Sequence, residues 1–295
     1  MYAGGMEYWR LDTLPELRAP LFICAFGGWN DAASAATNAA RFVVRRFGAR
    51  KFGSIDPEPF FDFREVRPHV RLTVRGEREI TWPQNEVFYA RNPTGPHDVV
   101  VFIGTEPNLR WRTFSEELLQ VMEGLRADLV VTLGALLADV PHTKPVRVTG
   151  SALDQAVAER LGLQPSRYEG PTGIVGVLHT MLRERGIAGA TLWANVPHYL
   201  TASQHPAATA ALLRRVSGLL GVDFDLTEMD AAAQRFLAEV EGALQANPEA
   251  QEYVRRLEEA YDEASPEAPP LPRGEDLVLD IERFLREQRE GRGED

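Results

Sequence analysis

Between residues 20 and 220, short apolar runs rich in Val, Ile, Leu and Phe alternate with longer amphipathic stretches, and few folds accept that order. Strands written as unbroken apolar runs are buried on both faces, so helices must cover them on both sides. The alternation predicts an α/β chain: a mostly parallel sheet between two helical layers, a three-layer αβα arrangement. Core strands are expected near 21–26, 51–55, 98–104, 128–134 and 190–196, each closed by Gly, Pro, Asn or Asp. Helices fit 31–47, 113–126, 151–162, 173–185 and 206–220.

This core is expected to occupy 1–224. From Asp225 the composition turns to Ala, Glu, Leu and Arg with helical spacing, as in Phe236, Val240 and Leu244 and again in Tyr253, Leu257 and Tyr261. An acidic helical appendage over 225–264 follows, with Asn247-Pro248 ending one helix and starting the next. The prolines of 265–273 predict a stiff linker, and 274–295 an amphipathic helix and tail with Leu277, Ile281 and Leu285 on one stripe.

The net charge of −11 lies in that tail: residues 1–224 hold 23 acidic and 24 basic side chains, residues 225–295 hold 20 and 8. Such a segment repels polyanions and anionic lipid, so neither nucleic acid nor membrane is an expected partner. No run reaches the ~18 apolar residues that a membrane span needs. The first residues lack the basic and apolar parts of a secretion signal, which makes the cytoplasm the expected location. Cys24, the single cysteine, sits inside Leu21 to Phe26 and reads as a buried structural thiol. One cysteine builds neither a disulfide framework nor a thiolate metal cluster.

From Val70 to Trp82 apolar and charged residues alternate around Gly76, which predicts an exposed antiparallel hairpin, either part of an interface or a plain solvated edge. In open parallel sheets ligands bind beyond the carboxyl ends of the strands, and the loops there carry the remaining signal. In Gly27-Gly28-Trp29-Asn30-Asp31, the glycines permit a tight turn and Asn30 or Asp31 suits a helix cap. Glu106 follows a buried strand, facing the crevice with Asp31 or standing in solvent. Asp139, His142 and Lys144 form the densest polar cluster. Gly170-Pro171-Thr172-Gly173 precedes a helix whose N–H groups suit an anion, or which Pro171 and Thr172 simply cap. His198, in Val196-Pro197-His198-Tyr199, is placed to meet His142 or Glu106, and a His–carboxylate pair suits acid–base work.

Asn30, Asp31, Glu106, Asp139, His142, Thr172 and His198 are thus the candidate cleft residues, expected around one depression. His69, His97, His179 and His205 read as surface or packing residues. No serine is bracketed as in a nucleophile elbow, the glycines match no nucleotide fingerprint, and Asp139-x-x-His142 is no metal spacing. No catalytic residue, metal or cofactor is assigned.

Taken together, Gly27 to Asp31, Gly134 to Pro145 with its Pro141-His142 step, Gly170 to Ile174 and Val196 to Tyr199 resemble the bacterial branch of the proteasome assembly chaperone family, over roughly residues 10–265. The resemblance implies a phosphorylase/hydrolase-like three-layer fold, a homo-oligomer, most simply a trimer, and proteasome subunits as partners. The acidic helices are similar to those of actinobacterial members. Members that dock on proteasome rings can use a hydrophobic–Tyr–any-residue terminus, whereas this chain ends Arg292-Gly293-Glu294-Asp295. The family has also been labelled as ATP-dependent carboxylate–amine ligases, yet no phosphate-binding glycine loop is present and Lys51 and Lys144 are the only lysines.

Two function classes fit. One is a protein-binding, chaperone-like protein linked to proteasome assembly, using oligomer surfaces, the hairpin and the acidic tail. The other is a small-molecule binder or enzyme, phosphorylase-like or hydrolase-like, with Glu106, Asp139, His142 or His198 as acid–base groups. Exposed apolar residues on the tail helices favour the first, a deep cleft with converging polar groups the second. The lack of catalytic signatures favours the first.

Overall fold

The computed structural model describes residues 6–153, 155–165, 168–200, 204–245 and 247–263. In chain order the elements are β1 (Trp9–Leu11), β2 (Leu21–Gly27), α1 (Ala35–Arg46), β3 (Arg50–Ile55), β4 (His69–Leu72), β5 (Arg78–Thr81), β6 (Glu86–Ala90), β7 (Val99–Thr105), α2 (Trp111–Gly124) and β8 (Leu129–Ala138). Then come β9 (Val148–Ala152), α3 (Gln155–Leu161), β10 (Gln164–Pro165), α4 (Ile174–Glu184), β11 (Gly189–Pro197), α5 (Pro206–Leu220), α6 (Thr227–Leu244) and α7 (Pro248–Glu263).

Nine strands form one sheet in the order β1-β3-β6-β7-β2-β8-β11-β9-β10. Its centre, β7-β2-β8-β11, is parallel throughout, as the buried apolar runs require. Outside it the pairing turns antiparallel, β6 against β7, β3 against β6, β1 against β3, and β9 against β11, with the short edge strand β10 parallel to β9. The run at 51–55 is therefore a strand, but it lies outside the parallel set. Strand β6 reaches β7 through residues 91–98, too short a connection for the crossover of a dozen or more residues that parallel pairing demands. The helix expected over 151–162 starts at Gln155, because Ser151 and Ala152 pair with Thr191 and Ala190.

Alternate residues of β2 serve opposite layers. Leu21, Ile23 and Ala25 pack with α1, α3 and α5, while Phe22, Cys24 and Phe26 pack with α2 and α4. The second layer is aromatic: Phe114 sits 5.2 Å from Phe60, and Phe26 5.3 Å from Phe102, ring centre to ring centre. Each such ring stabilises the fold by about 1.5–3 kcal/mol through burial. Cys24 is wholly buried and its thiol is pushed far up by desolvation, as a structural thiol should be.

Strands β4 and β5 form a separate hairpin in the register His69↔Thr81 to Leu72↔Arg78, where the alternation of charge and apolarity predicts one. Helix α6 packs on α5, with Arg214 bonded to Asp230 at 2.6 Å. Asn247 Oδ1 accepts the Ala250 N–H at 3.2 Å and Pro248 opens α7, so the Asn-Pro step divides the two helices. The linker over 265–273 and the helix and tail over 274–295 lie outside the described residues. Among the described residues, no helix is long and apolar enough to cross a membrane.

Candidate functional site

The parallel strands β2, β7, β8 and β11 all deliver their following loops to one edge of the sheet. Along that edge the seven candidate residues divide into two groups. Pairing of β2 with β8 stops at Ala25↔Leu133, whereas β8 and β11 continue to Ala138↔Pro197. Since β2 itself ends at Gly27, level with Ala135, three further residues carry the later loops about 10 Å beyond the earlier ones.

The first group surrounds the ends of β2 and β7. The carboxylate of Asp31 accepts the Ala36 N–H at 2.7 Å and the Thr37 hydroxyl at 2.5 Å, reaching past Ala33 and Ser34, which hold left-handed φ of 54° and 55°. Burial raises its pKa, partly opposed by those hydrogen bonds. The expected helix over 31–47 accordingly begins as a 3-10 turn and becomes α1 at Ala35. Glu106 Oε1 accepts the Ile174 N–H at 2.8 Å and the Asn30 side-chain amide at 3.1 Å. The anion at the N-terminus of α4 is thus the chain's own carboxylate, supplied from 68 residues away. Residue 173 must be glycine for this approach, since a Cβ there would lie 2.7 Å from that oxygen. Thr172 is exposed and does not cap α4.

The second group lies under α7. His198 Nδ1 meets Asp139 Oδ1 at 3.1 Å, and its Nε2 meets the Tyr253 hydroxyl at 3.1 Å. The Tyr199 hydroxyl accepts the His142 backbone N–H at 2.9 Å and lies 2.8 Å from Nδ1 of the same ring. Burial lowers the His142 pKa. His205 caps α5, its Nδ1 accepting the Ala208 N–H at 3.1 Å, and burial brings its pKa down to about 4. His142 and His205 both border a cavity of about 10 Å³, room for one water. Helix α7 holds the loop before β9 from outside: Lys144 Nζ lies 2.7 Å from Asp262, Thr143 bonds Glu258, and Arg147 stacks 3.6 Å from the Tyr261 ring centre.

The segments that carry the family resemblance are those that meet here, with the Asn30 carbonyl accepting the Ala135 N–H at 2.9 Å. The sequence matches the PAC2 family over residues 25–244. The chain belongs to the PAC2 family. It is similar to the structure of a PAC2 family protein from Streptomyces avermitilis, at 41% identity over 80% of this chain and 99% of that one, with a TM-score of 0.74. It is also similar to a proteasome-assembly chaperone homologue from Mycobacterium tuberculosis, at 44% identity over 79% and 99% of the two chains, TM-score 0.72. An archaeal proteasome activator from Pyrococcus furiosus shares the fold at 19% identity, TM-score 0.63, over 80% and 99%. No curated protein sequence matches the chain.

In this PAC2 chain, sequence reasoning missed the residues that close the second group. Tyr199 and Tyr253 complete the second, and nothing in the spacing of Tyr253 on an acidic amphipathic helix marks it as a partner of His198. His179, read as a packing residue, is buried with Nε2 3.0 Å from the Thr132 hydroxyl and a pKa lowered to about 4 by desolvation. Its position one turn after Val175 on the apolar face of α4 was the available signal.

Proposed function

We propose that this PAC2 chain is a protein-binding, chaperone-like subunit acting in proteasome assembly, working in the cytoplasm as a homo-oligomer, a trimer. The observation that carries the reading is the hairpin β4–β5. Val70, Leu72, Val74 and Ile80 are exposed on it, Leu72 to 71%, with Trp82 beside them. A lone two-stranded hairpin is marginal in water, and an apolar one projecting from the domain suits a protein partner. The 44% identical mycobacterial relative, described as a proteasome-assembly chaperone homologue, supports the choice of partner. The catalytic alternative has less support, since Glu106 spends an oxygen on a helix cap and Asp31 spends both on another.

The test is assembly of proteasome core particles from separately purified α and β subunits, with and without this protein. Acceleration by the wild type, and its loss in Leu72→Ser/Val74→Ser/Ile80→Ser, is the expected result. An unchanged assembly rate with no subunit retained on the immobilised chain defeats the proposal.

A further inference from the structure

Beside the first group, whose Asn30 and Thr172 border it, a cavity of about 700 Å³ opens between one face of α4 and the strands β8, β9 and β11, a volume typical of small-molecule sites. Its sheet wall follows from register. Thr191 pairs with Thr132 on one side and Ser151 on the other, so three hydroxyl side chains lie in one row across three strands, and Ser151 and Thr191 of that row line the cavity. Ser151 and Thr191 bond each other at 3.2 Å, and Thr132 bonds His179. Two residues along β11, the Trp193 indole lies against Gly134, where a Cβ would come within 2.4 Å of the ring. On the helix wall Gly173, Gly176, Thr180 and Arg183 recur at helical spacing, which keeps that face low and ends it in a cation. Trp29 and Tyr168 add further aromatic surface.

Charge narrows the ligand. Among the described residues, Arg183 is the only charged side chain lining the cavity, and the structure records no ion pair for it there. At the opposite end of α4, Glu106 already occupies the helix N-terminus, so a phosphate there would face a carboxylate. One cation and no second anion-binding feature suit a single negative charge. Aromatic and aliphatic walls with neutral hydroxyls suit a flat, largely apolar body.

We propose that this cavity binds a small aromatic monoanion, its ring system against Trp193 and its acidic group at Arg183. The site is separate from the hairpin and stands or falls independently of a role in proteasome assembly. The probe is 8-anilinonaphthalene-1-sulfonate, an aromatic monoanion that brightens on entering apolar surroundings, titrated into the full chain. One saturable site per chain is expected. Arg183→Gln should weaken it about tenfold, the scale of one charge-assisted hydrogen bond, and Arg183→Lys should recover most of the loss. Thr180→Trp, at an exposed helix position, should fill the cavity and remove binding. The uncharged analogue N-phenyl-1-naphthylamine should bind wild type and Arg183→Gln alike. Circular dichroism and melting of each variant establish that it is folded. Binding that survives both Thr180→Trp and Arg183→Gln, or that disappears with Val74→Ser/Trp82→Ala on the hairpin, overturns the proposal, as does an equal loss for the uncharged analogue.

Discussion

Glu106 illustrates how a residue that reads as a free acid becomes a fastener. Its carboxylate joins the loop after β2 to the start of α4, two segments that no local signal connects. Glu106→Gln keeps an acceptor but loses the charge facing the helix dipole, and is expected to lower stability by about 1 kcal/mol. Glu106→Ala also strands the Ile174 N–H and should cost about 1–3 kcal/mol more. Urea unfolding of both variants checks this, and equal stability of all three proteins would reduce Glu106 to a spectator. Histidines set a pH response at the same scale. His179 and His205 each have a folded pKa near 4, below the ordinary 6.5, so between those values the unfolded chain binds protons that the folded chain does not. Their stabilisation is fully present above about pH 6.5 and falls toward pH 4, by up to about 1.4 kcal/mol per pH unit for each ring. Melting scans from pH 7.5 to 4.5 should show the decline, and His179→Gln with His205→Asn should flatten it. Asn is chosen at 205 because its side chain still accepts at the N-cap.

At the scale of elements, α7 acts on the loop between β8 and β9 more than on the sheet. Lys144–Asp262 is a largely exposed ion pair, screened by solvent, and contributes little to stability. The Tyr261 contacts are firmer: its ring stacks under Arg147 and its hydroxyl bonds the Pro145 carbonyl at 2.8 Å. Tyr261→Ala should therefore speed amide exchange across 139–147 while the amides of β2 and β7 keep their protection. Exchange measured by mass spectrometry decides it; slow exchange in that loop after the substitution would mean that α7 does not hold it. The flanking strands carry a related lesson. Strand β9 was hidden in Val148-Thr149-Gly150-Ser151-Ala152 because only its pairing with β11 distinguishes it from a helix start.

At the scale of the whole molecule, a sheet whose two faces are filled by separate helical layers leaves the hairpin, among the described residues, as a conspicuous exposed apolar surface. A closed ring of three copies that leaves the hairpin open to a partner is the expected solution state, and light scattering at micromolar concentration should return three chain masses, unchanged in Leu72→Ser/Val74→Ser. A monomer mass would refute the trimer, and a trimer that falls apart on Leu72→Ser/Val74→Ser would place the hairpin in its interface and take it away from the partner.

The α/β class, the central strands, most helices, the hairpin and the Asn247-Pro248 break follow from sequence alone, because each rests on periodicity or on the backbone limits of Gly and Pro within a few residues. The same short range let the sequence identify the loops that meet at one sheet edge, since parallel strands with crossovers leave no other arrangement. Tertiary structure alone decided the antiparallel flanks, the overhang of β8 and β11 that divides the seven candidate residues, the bond from Glu106 to Ile174, and the closure of His198 and His142 by tyrosines. These depend on registers and on contacts between residues tens of positions apart, and a side chain's chemical type does not say which distant N–H or ring it will meet.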